Sequence, residues 1–178
     1  MSLKEKSKFL SYVLRHKPEE FGLTLAEGGW VSVEALMKAC SFTKEELNEI
    51  VSTDEKKRYS FDNSGNIRAN QGHSAVVEMN FKEVEPPEFL YHGTGDQNQS
   101  IIASEGIKKM SRQHVHLSSD MKTAATVGKR HGRPLLITVR AKQMYDDGCK
   151  FYCSDNGVWL TDYIDPKYFE RQQWFQKK

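Results

Sequence analysis

No apolar stretch in these 178 residues approaches the roughly 18 in a row that a membrane-spanning helix requires. Cysteine is scarce. The three present, Cys40, Cys149 and Cys153, cannot all pair with one another, which excludes a disulfide-built scaffold and points to a reducing, cytoplasmic setting. Cys149 and Cys153 stand four apart without a second nearby ligand pair, so the usual structural zinc patterns are absent and no metal site is expected. There is no Gly-Lys-Ser/Thr phosphate loop, no Gly-x-Gly-x-x-Gly fingerprint and no Gly-x-Ser-x-Gly elbow. Those gaps exclude a P-loop nucleotide hydrolase, a doubly wound dinucleotide fold and an α/β-hydrolase. Met1 to Lys8 is polar and lysine-rich, without the apolar segment of a secretory signal. A net charge of +2 is too small to announce a nucleic-acid partner by itself.

What is present is the composition of a globular protein: 28% charged residues, 11% aromatics and a mean hydropathy of −0.68. A chain of this length buries about 70% of its unfolded surface, enough for one domain or two small lobes. The charge is unevenly placed. Lys108, Lys109, Arg112, Lys122, Lys129, Arg130 and Arg133 face a single acid, Asp120, over one stretch, with His114, His116 and His131 interleaved. Such a run suits phosphate binding, and it equally suits a solvated helix face.

The pattern of apolar residues predicts an α+β chain in two lobes, residues 1–82 and 83–178. Phe9, Leu10, Val13 and Leu14 recur at helical spacing, and Pro18 ends that helix, leaving Arg15 and His16 in its last turn. A second helix is expected after Ser32 and a third after the capping box Thr43 to Glu46. Arg58 to Phe61 and Asn66 to Gln71 read as strands joined by an Asp62-Asn63-Ser64-Gly65 turn. Three helices and a hairpin outline a winged-helix-like lobe. The polar, proline-containing run from Phe81 to Phe89 reads as a linker. Beyond it, strands are expected at Phe89 to Tyr91, Val115 to Leu117 and Pro134 to Arg140, with a hairpin over 151–161. Helices are expected at Asn98 to Glu105, at Asp120 to about Arg130 behind a Ser119 cap, and briefly after Pro166.

Four stretches could carry chemistry. They are Leu14-Arg15-His16-Lys17-Pro18; Lys57-Arg58-Tyr59 with Ile67 to Ser74; Tyr91-His92-Gly93-Thr94 with Arg112 to Ser118; and Gly157-Val158-Trp159-Leu160-Thr161. The plain reading of Arg15 and His16 is two cations placed against the negative end of a helix, worth about 0.3 to 1 kcal/mol. Strand alternation puts His114 and His116 on one face, where two histidines serve as ligands, hydrogen-bonding groups or merely exposed polar residues.

Together, and in this order, the stretches resemble the NAD-dependent RNA 2′-phosphotransferases, also called tRNA 2′-phosphotransferases. The resemblance runs from Ser7-Lys8-Phe9-Leu10-Ser11-Tyr12-Val13-Leu14-Arg15-His16 to Asn156-Gly157-Val158-Trp159-Leu160-Thr161. It implies a winged-helix-like RNA lobe followed by an ADP-ribosyltransferase-like lobe of mixed α/β structure. It further implies NAD as co-substrate, 2′-phosphorylated RNA as partner, no metal, no membrane and a monomer. Such enzymes let an internal RNA 2′-phosphate attack the nicotinamide ribose, forming an ADP-ribosylated RNA 2′-phosphate. They then release 2′-OH RNA and ADP-ribose 1″,2″-cyclic phosphate. The family's catalytic histidine and three arginines map onto His16, Arg15, Arg58 and Arg112, with Arg68 as the alternative to Arg58. His92, Gly93, Thr94, His116 and Ser118 are the implied NAD contacts, with His114 competing against His116. Arg68, Asn70, Gln71 and His73 either touch the RNA backbone or seal the lobe interface.

These residue types suit the chemistry. A phosphate monoester is already an anionic nucleophile at neutral pH and needs no general base, which fits the absence of a carboxylate from Val158-Trp159-Leu160. Arginine forks suit the more highly charged second step, and His16 suits proton donation to the departing 2′-oxygen. Two other readings stand beside this one: ADP-ribosylation that stops at a terminal nucleic-acid phosphate, and a non-catalytic RNA-binding module.

Overall fold

Helix α1, Leu3–Arg15, begins where Ser2 and Glu5 form a reciprocal capping box and buries Leu10, Val13 and Leu14 completely. This computed structural model describes residues 1–174 of the chain. The chain divides into two compact units, Met1–Asn80 and a second from Phe81 onward. In the first, a two-residue strand β1, Val31–Ser32, leads into α2, Val33–Cys40, whose cap is the Ser32 side chain accepting from the Ala35 amide. Helix α3, Lys44–Thr53, starts on the capping box of Thr43 and Glu46 and buries Leu47 and Ile50. The hairpin follows as β2, Tyr59–Phe61, and β3, Asn66–Ala69, with Gly65 at φ 80° in the turn. Its strands are shorter than the sequence reading, so Arg58 precedes β2 instead of lying in it. Strand β1 adds to β3 and makes an antiparallel sheet of order β1-β3-β2. Two residues are too few to show a strand period, which is why the sequence did not reveal it.

The second unit opens with the proline-containing run read as a linker. Part of that run is structured, since the Val84 amide donates to the Phe151 carbonyl and Glu83 bridges to Tyr152. Strand β4, Phe89–Gly95, extends past the expected Tyr91 and carries His92, Gly93 and Thr94. Helix α4, Gln99–Glu105, stops at Gly106, whose φ is 76°. Strands β5, Ile107–Lys108, and β6, Val115–Leu117, come next. Helix α5, Met121–Gly128, is capped by Asp120 and not by Ser119, because the Asp120 carboxylate accepts from the Lys122 and Thr123 amides. It ends at Gly128 in a short 3-10 turn, Lys129–His131, earlier than its cationic run suggests.

Strand β7, Pro134–Arg140, is buried from Pro134 to Val139 and mostly apolar there because it is the central strand of its sheet, covered on both faces. Helix α6, Ala141–Asp146, and strands β8, Tyr152–Cys153, β9, Trp159–Thr161, β10, Tyr163–Ile164, and β11, Phe169–Trp174, complete the described chain. The sheets are β11-β7-β4, β6-β9-β8 and β10-β5, and every strand pair among the described residues is antiparallel. The fold class is α+β. Leu90, Leu135, Ile137, Val139 and Phe151 form the centre of this unit's core. Helix α6 and strands β1, β5, β10 and β11 were not expected from the sequence. Strand β11 is polar and follows the short 3-10 turn Pro166–Tyr168, so its sequence carries little strand signal.

Helix α5 packs on β4 and β7 through its small residues Ala124, Ala125 and Gly128. A Cβ built on Gly93 would lie 1.7 Å from the Ala124 carbonyl oxygen. Glycine is therefore required at Gly93 by the approach of two backbones. Gly93→Ala is expected to lower unfolding free energy by about 3 kcal/mol or more, seen as a drop in the urea midpoint. An unchanged midpoint would mean that α5 can leave β4 at no cost.

Candidate functional site

Helix α1 stops because Pro18 disfavours helical backbone at Lys17, and His16 is its C-cap residue at φ −120° and ψ −45°. A helix end leaves carbonyls without partners inside the helix. The Arg15 carbonyl is satisfied from far along the chain, accepting from the Ser74 and Ala75 amides, each at 2.9 Å. The Ser74 hydroxyl lies 2.8 Å from His16 Nδ1. Arg15 and His16 are thus adjacent at one helix end and tied to the turn that follows Gly72, whose φ is 89°. His73, within that turn, is 2% exposed and packs near Gly29 and Met79. Burial pushes its pKa down to about 4, and the positive charges of Arg15, His16 and Arg68 act in the same direction.

Arg58 has its own support. Asp54, only 6% exposed in its side chain, accepts from the Arg58 amide at 2.6 Å and pairs with its guanidinium. Lys57, immediately before, adopts the left-handed region at φ 45°. That conformation disfavours a side chain, and it is held by the Asn70 amide group donating to the Lys57 carbonyl at 2.8 Å. Asn70 also accepts from Ser60 Oγ at 2.9 Å, and its backbone amide donates to the Arg58 carbonyl at 2.8 Å. The Asn70 side chain is therefore committed to the backbone around Arg58. Arg68 is differently supported: its Nη1 donates to the Gly28 carbonyl at 3.1 Å, and its guanidinium lies 4.5 Å from the centre of the Trp30 ring.

In the second unit, β4 and β6 meet where Tyr91 and Ser118 exchange backbone hydrogen bonds of 2.9 and 2.8 Å. That pairing sets Ser118 beside the His92 strand. His92 Nδ1 lies 3.0 Å from the His116 carbonyl, which can only accept, so Nδ1 carries the proton and Nε2 is an acceptor. Burial holds His92 below the ordinary histidine pKa; the bond to His116 opposes this, while Arg112 and His131 reinforce it. Arg112 Nη1 lies 3.0 Å from His116 Nδ1. A guanidinium only donates, so neutral His116 carries its proton on Nε2. Desolvation, with Arg130 adding, draws the Arg112 pKa below its usual value, a setting that favours a bound anion. Thr94 is 8% exposed, and its Oγ1 accepts from Asn98 at 2.9 Å.

The structure thus links Arg112, His116, His92 and Ser118 within one unit, and Arg15, His16 and His73 within the other. His114 and His116 part company. Strand β6 begins only at Val115, so alternation does not govern His114, whose ring packs edge-on against Phe81 and Tyr152 at 6.0 and 5.6 Å. The sequence reading gave no role to Asp54, although an acid four residues before Arg58 was a visible signal. It also left Ser74 without one, since nothing local marks a serine that reaches a helix 58 residues away.

A neutral buried histidine has a stability signature. Because the folded pKa of His73 lies near 4 and the ordinary value is 6.5, its contribution is complete above about pH 6.5 and is lost as pH falls toward 4. The loss is expected to reach about 2 kcal/mol by pH 5, read from urea midpoints, and His73→Gln is expected to flatten the dependence. An unaltered slope in that variant would overturn the assignment.

A model of the RNA 2′-phosphotransferase, Tpt1/KptA family matches residues 2–163. A probable RNA 2′-phosphotransferase of Nostoc punctiforme is 50% identical over 171 residues, covering 93% of this chain and 94% of the relative. Those of Trichormus variabilis and Flavobacterium johnsoniae are 51% and 52% identical, over 91% and 92% of this chain and 92% and 93% of the relatives. With the family match spanning all four of the stretches that carry Arg15, Arg58, His92 and Trp159, this chain belongs to the RNA 2′-phosphotransferase, Tpt1/KptA family.

Proposed function

We propose that this chain removes an internal 2′-phosphate from RNA and transfers it to NAD, giving 2′-OH RNA, nicotinamide and ADP-ribose 1″,2″-cyclic phosphate. Family membership over most of the chain is the observation that carries this reading. The first unit, with three helices and the β1-β3-β2 sheet, is read as the winged-helix-like RNA lobe. The second is read as an ADP-ribosyltransferase-like lobe that takes NAD.

The donor set of the second unit suits that ligand. A ribose hydroxyl both donates and accepts, and the neighbouring His92 and His116 offer an Nε2 acceptor and an Nε2–H donor. Thr94 on β4 and Ser118 just past β6 add hydroxyls, and Arg112 supplies charge for phosphate. NAD brings a sugar carbon made electrophilic by its nicotinamide leaving group. The chain's residues then have separable tasks. Arg15, Arg58 and Arg112 bind the oxygens of the RNA 2′-phosphate and oppose the charge that builds in the second displacement, through bonds of about 1.5 to 3 kcal/mol each. His16 protonates the departing RNA 2′-oxygen. Strand β9 reads Trp159-Leu160-Thr161, without a carboxylate, consistent with a phosphate nucleophile that needs no base.

Incubation of a 2′-phosphorylated oligoribonucleotide with NAD is expected to release the three products, and a 2′-phosphate that survives excess NAD would overturn the reading. With arginines carrying the phosphate charge, a chelator is expected to leave the rate unchanged. His16→Ala is expected to slow the second step by about 10² to 10⁴ and to accumulate ADP-ribosylated RNA. Full second-step activity in that variant would remove His16 from its role.

A further inference from the structure

The C-terminal end of α1 is docked twice, and the two attachments have different uses. The backbone attachment is the pair of amides, Ser74 and Ala75, that share the Arg15 carbonyl at 2.9 Å. It depends on no side chain. The second attachment is the Ser74 hydroxyl, 2.8 Å from His16 Nδ1. If docking the turn were its only purpose, the amides would suffice, since a helix-end carbonyl has two lone pairs and both are engaged. The hydroxyl instead meets a titratable ring at Nδ1, the nitrogen whose partner sets the direction of Nε2.

We infer that Ser74 is the positioning residue for His16, holding Nδ1 so that Nε2 carries the proton delivered to the RNA 2′-oxygen. A hydroxyl suits this better than a carboxylate or a carbonyl. It accepts from Nδ1–H of the imidazolium and of the neutral ring left once Nε2 has given up its proton, and it can rotate to donate to Nδ1 when a resting neutral ring carries its proton on Nε2. One partner therefore serves both protonation states, and no second charge is introduced beside Arg15. Gly72 at φ 89° and the buried His73 make the turn rigid enough for the hydroxyl to hold its place. The inference rests on the proposed role of His16.

The test compares wild-type protein, Ser74→Ala, Ser74→Thr, His16→Ala and the double variant in single-turnover assays that follow nicotinamide release and 2′-OH RNA formation separately. Ser74→Ala is expected to slow the second step by about 10- to 100-fold while nicotinamide release and the urea midpoint stay near wild type. Ser74→Thr, which keeps a hydroxyl, is expected to recover most of that loss. In the His16→Ala background, Ser74→Ala is expected to have no further effect, because a residue acting through His16 has nothing left to position. A wild-type second step in Ser74→Ala, or a loss that adds fully to that of His16→Ala, would overturn the inference and leave the role of His16 intact. Full second-step activity in His16→Ala would overturn both. The imidazole ¹⁵N spectrum of His16 gives an independent reading: an Nδ1 resonance that moves in Ser74→Ala and returns in Ser74→Thr supports the inference, and one that is the same in all three proteins defeats it.

Discussion

A helix that ends early leaves a carbonyl that something must satisfy, and at Arg15 that demand is met by the amides of Ser74 and Ala75. Much of the first unit's chemistry hangs on this repair. The turn that supplies the amides also brings His73 into the interior and the Ser74 hydroxyl to His16. The backbone that carries Arg15 and His16 is thereby fixed by main-chain hydrogen bonds, which neither titrate nor lose strength with salt as surface ion pairs do. The histidine inside the turn remains uncharged at neutral pH because burial and its cationic neighbours oppose its protonation. A charged ring there would repel the same side chains that are expected to grip an anion.

The second cationic group is stabilised by another route. Arg58 follows a left-handed Lys57 and is balanced by a nearly buried Asp54, with Asn70 bracing the backbone on both sides. An arginine already paired with a carboxylate has its fork oriented before any phosphate arrives, so little conformational entropy is left to lose on binding. Arg112 is set differently again, donating to a neutral imidazole instead of to an acid. Its charge is not offset by that partner, which suits a group whose task is to meet an anion. Around three arginines with the same proposed purpose the support therefore differs: amides on the Arg15 carbonyl, a carboxylate on Arg58 and a histidine on Arg112.

The sequence was most informative where a signal is local. The capping box at Thr43, the helix after Ser32, the Pro18 stop and the apolar run of β7 each depend on neighbours within a few residues, and each appears in the structure. The four motif stretches were legible for the same reason, and their order carried the family. What escaped was fixed by partners distant in the chain. Strand β1 exists because β3 is there to receive it, and β11 because β7 is. The cap of α5 moved by one residue because Asp120 accepts from two amides where Ser119 was expected to act. That His114 and His116 do not share a strand face follows from where β6 begins, a boundary that composition does not mark.

The close passage of β4 beneath α5 sets more than packing. Sliding the strand by one position in either direction would carry the Cβ of His92 or Thr94 into the place where Gly93 admits the Ala124 carbonyl. Steric exclusion therefore indexes the strand against the helix like a tooth in a rack. The address of His92 along the sheet is enforced by what cannot fit beside it, a constraint that persists whether or not any ligand is bound.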